Sequence, residues 1–142
     1  MEIVRTADIA APAATVWSVM SDVEQWHTWT ASVTSVELTD PGPIGVGSRA
    51  EVRQPRLPRV IWTVTEWRPG RSFTWEQRSP GARAVGVHTV ESTGEGTSRV
   101  TLTLRQEGPV GSLVGRLFRG LSGRYVDMEA AGLAARSEAP VS

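Results

Sequence analysis

The sequence predicts an α+β fold in which a bent, seven-stranded antiparallel sheet wraps around one long C-terminal helix. Three observations carry this prediction. Short alternating segments follow one another, separated by turn signals about every ten to fourteen residues. Two short helical segments follow the first strand, and after residue 108 a helical period replaces the alternation. Sheet and helix each have one apolar face, so the natural packing places these faces against each other.

The N-terminal segment supplies the first strand and the first helix. Residues 2–10 alternate loosely, as a strand with one buried face would. Pro12 suits the first turn of the helix that follows, where the missing N–H costs no hydrogen bond. Val16 and Met20 then lie four residues apart, which gives residues 12–20 an apolar face.

The next segment, SDVEQWHTWT, holds two of the six tryptophans and one of the two histidines. Asp22 can cap a short second helix at residues 23–29. Trp26 and Trp29 lie three residues apart on one side of that turn, and we expect them to pack this end of the fold against the sheet. His27 is expected to point into solvent. Trp29 is predicted to reach a ligand pocket more readily than Trp26.

From residue 31 onward the sequence is typical of consecutive antiparallel hairpins. Pairs such as Pro69-Gly70 and Pro80-Gly81 favour tight turns, because proline presets one turn position and glycine permits a positive φ. The segments between the turns alternate apolar and polar residues. The six further strands are predicted at residues 31–40, 47–55, 59–67, 71–79, 82–92 and 97–108.

A single helix is predicted over roughly residues 110–136, about 40 Å long at 1.5 Å per residue. Its apolar face, expected to lie against the sheet, consists of Val114, Leu117, Leu121, Tyr125, Met128 and Gly132. Five glycines occur between residues 111 and 132. Each costs a helix about 1 kcal/mol relative to alanine, so they indicate close approach, a kink or a loosely held helix.

Length and composition indicate one ordinary domain. A chain of 142 residues can build one core, so residues 1–138 are predicted as a single domain and residues 139–142 as a frayed tail. Fifteen acidic residues balance fifteen arginines, and no block of like charge indicates a nucleic-acid or membrane partner. The N-terminus lacks the pattern of a signal peptide, so a cytoplasmic location is expected.

The chain also lacks the ligand patterns of common metal sites. It contains no cysteine, which excludes disulfides and thiolate ligands. The only two histidines are far apart in sequence, and no carboxylate–histidine spacing indicates a metal-binding triad. We therefore expect neither a metal nor a cofactor.

Four segments of the chain are distinctive. They are I-x-A-P-A-A-T-V-W-S-V-M-S-D-V-E-Q-W-H-T-W at 9–29, V-G-S-R at 46–49, W-T-V-T-E-W-R-P-G-R-S-F-T-W at 62–75 and G-x-G-T-S-R-V-T-L-T at 94–103. With the long terminal helix, they make the chain resemble the polyketide cyclase/dehydrase type of the START-like superfamily, also called SRPBCC, over about residues 2–136. The resemblance implies the helix-grip fold and a deep apolar cavity. It does not fix the chemistry, because relatives include cyclases, dehydratases and transporters.

Strand alternation selects the residues that would line such a cavity, since side chains two positions apart share a face. The predicted ligand-binding residues are mostly aromatic or aliphatic with a few polar groups: Trp29, Trp62, Phe73, Trp75, His88, Leu104, Gln106, Leu121, Tyr125 and Met128. Such a lining is the usual composition of a small-molecule site. The alternative is that the same side chains fill a solid core.

His88 and Tyr125 are the candidate catalytic residues. His88 interrupts an apolar strand face, where an unpaired imidazole is costly to bury, and its unperturbed pKa of about 6.5 suits proton transfer. Tyr125 is the only tyrosine and could hydrogen-bond a ligand carbonyl. Each could equally be a structural group that has found a partner.

Three functions follow from these observations. The first is binding of a small hydrophobic molecule, such as a polyketide, an aromatic compound or a lipid, by a monomer or a homodimer. The second is a cyclase, aromatase or dehydratase that acts on a polyketide in the same cavity. The third is a domain that regulates a partner and retains only a vestigial cavity.

Overall fold

The computed structural model describes residues 1–139 and contains one seven-stranded antiparallel sheet. The spatial order of the strands is β1-β7-β6-β5-β4-β3-β2, so only the placement of β1 beside β7 departs from simple hairpin succession. The predicted seven-stranded sheet is confirmed. Its strands are β1 (Glu2–Ile9), β2 (Ser35–Leu38), β3 (Arg49–Arg53), β4 (Val60–Arg68), β5 (Ser72–Ser79), β6 (Ala82–Gly94) and β7 (Thr97–Glu107).

The hairpin turns form where the proline and glycine pairs predict them. Gly70 and Gly81 adopt φ values of 79° and 73°, a region that residues with a Cβ atom rarely adopt. Strand β2 is much shorter than its predicted span of 31–40. It is preceded by a turn in which the hydroxyls of Thr30 and Ser32 bond each other at 2.7 Å, and both side chains are buried.

Two short helices follow β1, as predicted. Helix α1 (Ala13–Ser21) turns Val16 and Met20 into the core, and a 3₁₀ helix spans Val23–Thr28. Asp22 occupies the N-cap position of the 3₁₀ helix, but its side chain makes no capping hydrogen bond. The predicted capping role is therefore wrong for the side chain.

The predicted single C-terminal helix is divided in two. Helix α2 (Pro109–Leu117) ends at Phe118, whose backbone (φ −105°, ψ 14°) departs from helical geometry, and helix α3 (Arg119–Glu138) begins immediately after it. Two hydrogen bonds carry the chain through this bend, from the N–H of Phe118 to the carbonyl of Val114 and from that of Ser122 to the carbonyl of Phe118.

The two helices pack in different ways. Helix α3 buries Tyr125, Val126, Ala130 and Leu133, as a core helix should. In α2 the buried residues are Gly111 and Gly115, whereas Leu117 is exposed. The prediction that Leu117 faces the sheet is wrong, because the glycines allow α2 to lie on the sheet with its smallest face.

Trp29 fixes α3 to the end of the sheet that carries the short helices. A Cβ atom on Gly132 would lie 2.1 Å from the carbonyl oxygen of Trp29, so only glycine fits at this contact. Of the predicted frayed tail, only Ala139 is among the described residues. Within residues 1–139, none of the helices combines the length and the apolar character that crossing a membrane requires.

Candidate functional site

A cavity of about 430 Å³ lies between the inner face of the sheet and α3. Its walls come from the middle of β4 to β7, from Trp26, from the β3–β4 loop and from the inner side of α2 and α3. Most of the lining is apolar or aromatic: Trp26, Val33, Val52, Leu57, Val60, Trp62, Trp75, Ala84, Val87, Leu102, Leu104, Val110, Val114, Phe118 and Val126. This size and composition suit a small organic molecule.

The sequence-predicted site residues divide into two groups. Those on the cavity wall are Trp62, Trp75, His88, Leu104, Gln106 and Tyr125. The other four, Trp29, Phe73, Leu121 and Met128, do not line it. Phe73 is fully buried behind His88, and Trp29 packs on α3 at Gly132. Trp26, not Trp29, is the tryptophan of the 3₁₀ helix that reaches the cavity.

Trp26 links the short helices to the cavity wall. Its indole Nε1 donates a hydrogen bond to the carbonyl oxygen of Met20 at 3.0 Å, which holds the ring at the end of α1. The ring centroid lies 5.3 Å from that of Trp75 and 5.3 Å from that of His88. Trp75 in turn lies 5.7 Å from Trp62. These three tryptophans form a continuous aromatic wall.

His88 is held in one orientation by its neighbours. Its ring stacks on Phe73 with centroids 4.2 Å apart and planes 10° apart. The ring edge meets Trp75 at 90°. Nδ1 lies 3.4 Å from the carbonyl oxygen of Phe73. A carbonyl can only accept, so Nδ1 carries the proton in this bond and Nε2 is the acceptor of the neutral ring.

Burial keeps His88 uncharged. The side chain is 6% exposed, and the loss of hydration lowers its pKa to about 4, against a smaller opposing effect of the bond to Phe73. At neutral pH His88 therefore presents a neutral imidazole on the cavity wall.

Glu129 is the site residue that the sequence analysis missed. It lies on α3 one turn after Tyr125 and lines the cavity. The side chain is half-buried, and burial raises its pKa to about 8. At neutral pH its carboxyl group is protonated and can donate a hydrogen bond. It is not among the residues predicted for the apolar face or the site, although its four-residue spacing from Tyr125 puts it on the same side of the helix.

The cavity lining also contains amide and guanidinium groups. Gln54, Gln77 and Gln106 contribute amides to the lining, and Arg56 and Arg83 contribute guanidinium groups. Arg83 is already engaged, because two of its nitrogens bond Glu76 at 2.8 and 3.1 Å. Arg56 forms no ion pair within the described chain.

The β3–β4 loop is tied to α3 at the cavity wall. The Tyr125 hydroxyl donates a short hydrogen bond to the carbonyl oxygen of Pro55. The next residue, Arg56, has a φ of 67°, which is uncommon for a residue with a Cβ atom. Tyr125 thus holds a constrained loop over the cavity, a role that its sequence context did not indicate.

Residues 1–139 contain no group of three or more His, Asp or Glu side chains placed to hold a metal ion. The titratable groups on the cavity wall are His88, Glu129, Tyr125, Arg56 and Arg83.

Comparison with known proteins assigns the family. The model of the family described as polyketide cyclase / dehydrase and lipid transport matches residues 1–138, and the chain belongs to this family. No curated protein matches the chain.

Solved structures share the fold at low sequence identity. A protein from Thermus thermophilus is 24% identical, with a TM-score of 0.75 over 96% of this chain and 97% of that one. A START superfamily protein from Mycobacterium smegmatis is 18% identical, with a TM-score of 0.75 over 96% and 97%. The Zhui aromatase/cyclase from a Streptomyces species is 19% identical, with a TM-score of 0.74 over 97% and 93%. These identities establish the helix-grip fold and no more.

Proposed function

We propose that the protein binds a small, largely aromatic molecule in the cavity between the sheet and α3. The observation that carries this proposal is the cavity itself, about 430 Å³ with tryptophans along its wall. Burial of an apolar ligand contributes roughly 25 cal/mol per Å² of apolar surface removed from water. An open cavity also argues against the third function from the sequence, a domain whose cavity is vestigial.

The polar groups narrow the class of ligand. At neutral pH, His88 Nε2 accepts a hydrogen bond and the Glu129 carboxyl group donates one, and neither is charged. A charged ligand group beside them would lose its hydration without gaining a counter-charge. The favoured ligand is therefore neutral in the interior, with a hydroxyl for His88 and a carbonyl for Glu129.

The test uses hydroxyanthraquinone, a planar ketone with a hydroxyl group. We expect it to quench tryptophan fluorescence and to raise the melting temperature. Leu104→Trp, which fills the cavity from its wall, should abolish both effects, whereas Ile61→Trp, on an exposed side chain of β4, should leave them intact. Native mass spectrometry of the purified protein would report any molecule that is retained. Absence of binding to this ketone and to a wider set of neutral aromatics would refute the proposal.

A second candidate function is dehydration or cyclisation of a hydroxyketone in the same cavity. It is supported by the opposite pKa shifts of His88 and Glu129, which leave a base and an acid in one cavity at neutral pH. His88 Nε2 would take the proton from the carbon beside the carbonyl, and Glu129 would give its proton to the departing hydroxyl. One water leaves and one carbon–carbon double bond forms.

The two functions are separable. Under the enzymatic function, His88→Ala and Glu129→Gln lose turnover of a hydroxyketone but still bind the planar ketone. Under the binding function, the wild type shows no turnover and both variants change affinity alone.

A further inference from the structure

Helix α2 carries an apolar stripe that the rest of the described chain leaves partly uncovered. The stripe consists of Val110, Leu113, Val114, Leu117 and Phe118, at the i, i+3, i+4, i+7, i+8 spacing of a buried helix face. Their exposed fractions are 47%, 59%, 39%, 72% and 45%. These five are most of the large apolar residues that the described chain leaves exposed, and a contiguous apolar patch of this kind marks an interaction site.

The face of α2 that packs on the sheet explains why the stripe stays partly exposed. A Cβ atom on Gly115 would lie 2.9 Å from Cβ of Gln106, and one on Gly111 would lie 3.3 Å from Cα of Ala82. The helix therefore approaches β6 and β7 through its glycines, and it cannot rotate its larger side chains inward without moving off the sheet.

The stripe is continuous with the mouth of the cavity. Val110, Val114 and Phe118 are exposed on the surface and also line the cavity, so the cavity opens beside α2. Leu57 and Arg56 of the β3–β4 loop line the same opening from the other side. A partner that covers the stripe would therefore also cover this opening of the cavity.

The charged side chains of α2, of the first two turns of α3 and of the β3–β4 loop at residues 54–59 are all positive. Nine of the fifteen arginines form ion pairs with carboxylates in residues 1–139. Four of the others lie in α2, at the start of α3 or in the β3–β4 loop: Arg56, Arg116, Arg119 and Arg124. Neither residues 108–126 nor residues 54–59 contain an Asp or Glu. The sequence showed no basic run because the fold assembles this charge from two distant segments.

We propose that the α2 stripe and its arginines dock on the surface of a membrane that contains anionic phospholipid. An amphipathic helix with Leu and Phe on one face and arginines beside it is the form that binds at the membrane interface. A second copy of the chain fits poorly, because it would bring two arginine-rimmed faces together. A protein partner is disfavoured by the stripe's composition, since four of its five residues are Leu or Val, which are under-represented among the residues that dominate binding at protein interfaces. Such contact is peripheral, and it goes against the sequence expectation of no membrane partner.

The test is co-sedimentation of the full chain with vesicles, without added ligand, so its outcome does not depend on the proposed function. We expect binding to phosphatidylcholine vesicles that contain phosphatidylglycerol and much weaker binding to phosphatidylcholine alone. The pair Arg116→Gln and Arg119→Gln should weaken binding about 25-fold, from about fivefold per arginine. The pair Leu113→Ser and Leu117→Ser should weaken it at least about tenfold.

Two matched controls separate docking from general effects. Arg71→Gln removes an exposed arginine that has no ion pair within residues 1–139 and lies at the β4–β5 turn, and Ile61→Ser removes an exposed apolar side chain of β4. Both should bind vesicles like the wild type, and all variants should keep the wild-type melting temperature within a few degrees. The proposal would be overturned if the Leu113→Ser and Leu117→Ser double variant bound vesicles as well as the wild type does. An absence of vesicle binding would also overturn it, as would a dimer in solution that the leucine pair dissociates.

Discussion

Phe73 and His88 face each other across β5 and β6 as a register pair, with their rings stacked at 4.2 Å and His88 Nδ1 bonded to the Phe73 carbonyl. Phe73 thus fixes both the ring plane of His88, by stacking, and its tautomer, by accepting the hydrogen bond from Nδ1. Because neither contact supplies a counter-charge, protonation of the imidazole in the folded state is unfavourable. This relationship makes His88 a source of acid sensitivity.

The folded pKa of His88, about 4, lies below its unfolded value of about 6.5. Between these values the unfolded chain binds more protons, so the stability that His88 contributes is lost as pH falls from about 6.5 towards 4. The slope approaches about 1.4 kcal/mol per pH unit. His88→Phe should remove this component, as seen by urea unfolding at pH 6.5 and 4.5, whereas His27→Phe on the exposed histidine should not. Equal slopes in the wild type and in His88→Phe would contradict the assignment.

The stability that Glu129 contributes depends on pH in the opposite direction. The pKa of Glu129 is about 8 in the folded chain and 4.5 in its unperturbed state. Between pH 4.5 and 8 the folded chain therefore binds more protons than the unfolded chain, and its stability falls as pH rises. Glu129→Gln should be more stable than the wild type at pH 8, with the difference shrinking towards pH 5. Glu95→Gln, at the exposed β6–β7 turn and without an ion pair within residues 1–139, is the control and should track the wild type. A Glu129→Gln difference that stays constant with pH would show that the carboxyl group ionises normally.

Two glycines of α3 should respond in opposite directions to alanine. At Gly132 the added Cβ would meet the Trp29 carbonyl at 2.1 Å, so we expect a loss of about 3 kcal/mol or more in the free energy of unfolding. At Gly120 nothing lies within 4 Å of such an atom, and the gain in helix propensity should be up to about 1 kcal/mol. Thermal and urea unfolding measure both. Similar effects at the two positions would mean that α3 does not pack on Trp29 as described.

Tyr125→Phe removes the hydroxyl that holds Pro55. We expect a loss of about 1 kcal/mol in stability and faster hydrogen exchange confined to residues 54–59. If this loop exchanged in Tyr125→Phe at the same rate as in the wild type, the hydrogen bond would not be what restrains it. The β4–β5 turn at residues 69–71 serves as an internal reference, because it has no contact with Tyr125 that the substitution would remove.

The sequence predicts the sheet well because its signals are local. Turn glycines such as Gly70 and Gly81 and the period-two alternation both report on the nearest neighbours in the chain. The wall residues Trp62, Trp75 and His88 follow from the same alternation, and the structure places all three on the cavity. Whether they contact a ligand stays a prediction.

The orientation of α2 and the positions of Glu129 and Trp26 depend on packing that a periodic pattern does not encode. The stripe from Val110 to Phe118 has the pattern of a core face, yet the helix packs on the sheet through Gly111 and Gly115, which leaves the stripe partly exposed. The sequence pattern does not select Glu129, because charged residues are rarely buried, although an enclosed cavity can accommodate a protonated carboxyl group. Trp26 and Trp29 are equivalent by spacing, and only the close contact at Gly132 decides which of them reaches the cavity.

The aromatic wall has an optical consequence. Trp29, Trp26, Trp75 and Trp62 form a chain in which successive ring centroids are 5.6, 5.3 and 5.7 Å apart, and Trp17 and Trp67 form a second pair at 5.2 Å. Rings this close exchange electronic excitation before they emit. A single energy acceptor bound beside Trp62 should therefore quench the fluorescence of all four tryptophans. Their emission should also be depolarised even when the protein is held in a rigid glass. The combined fluorescence of these four tryptophans should thus report whether the cavity is occupied.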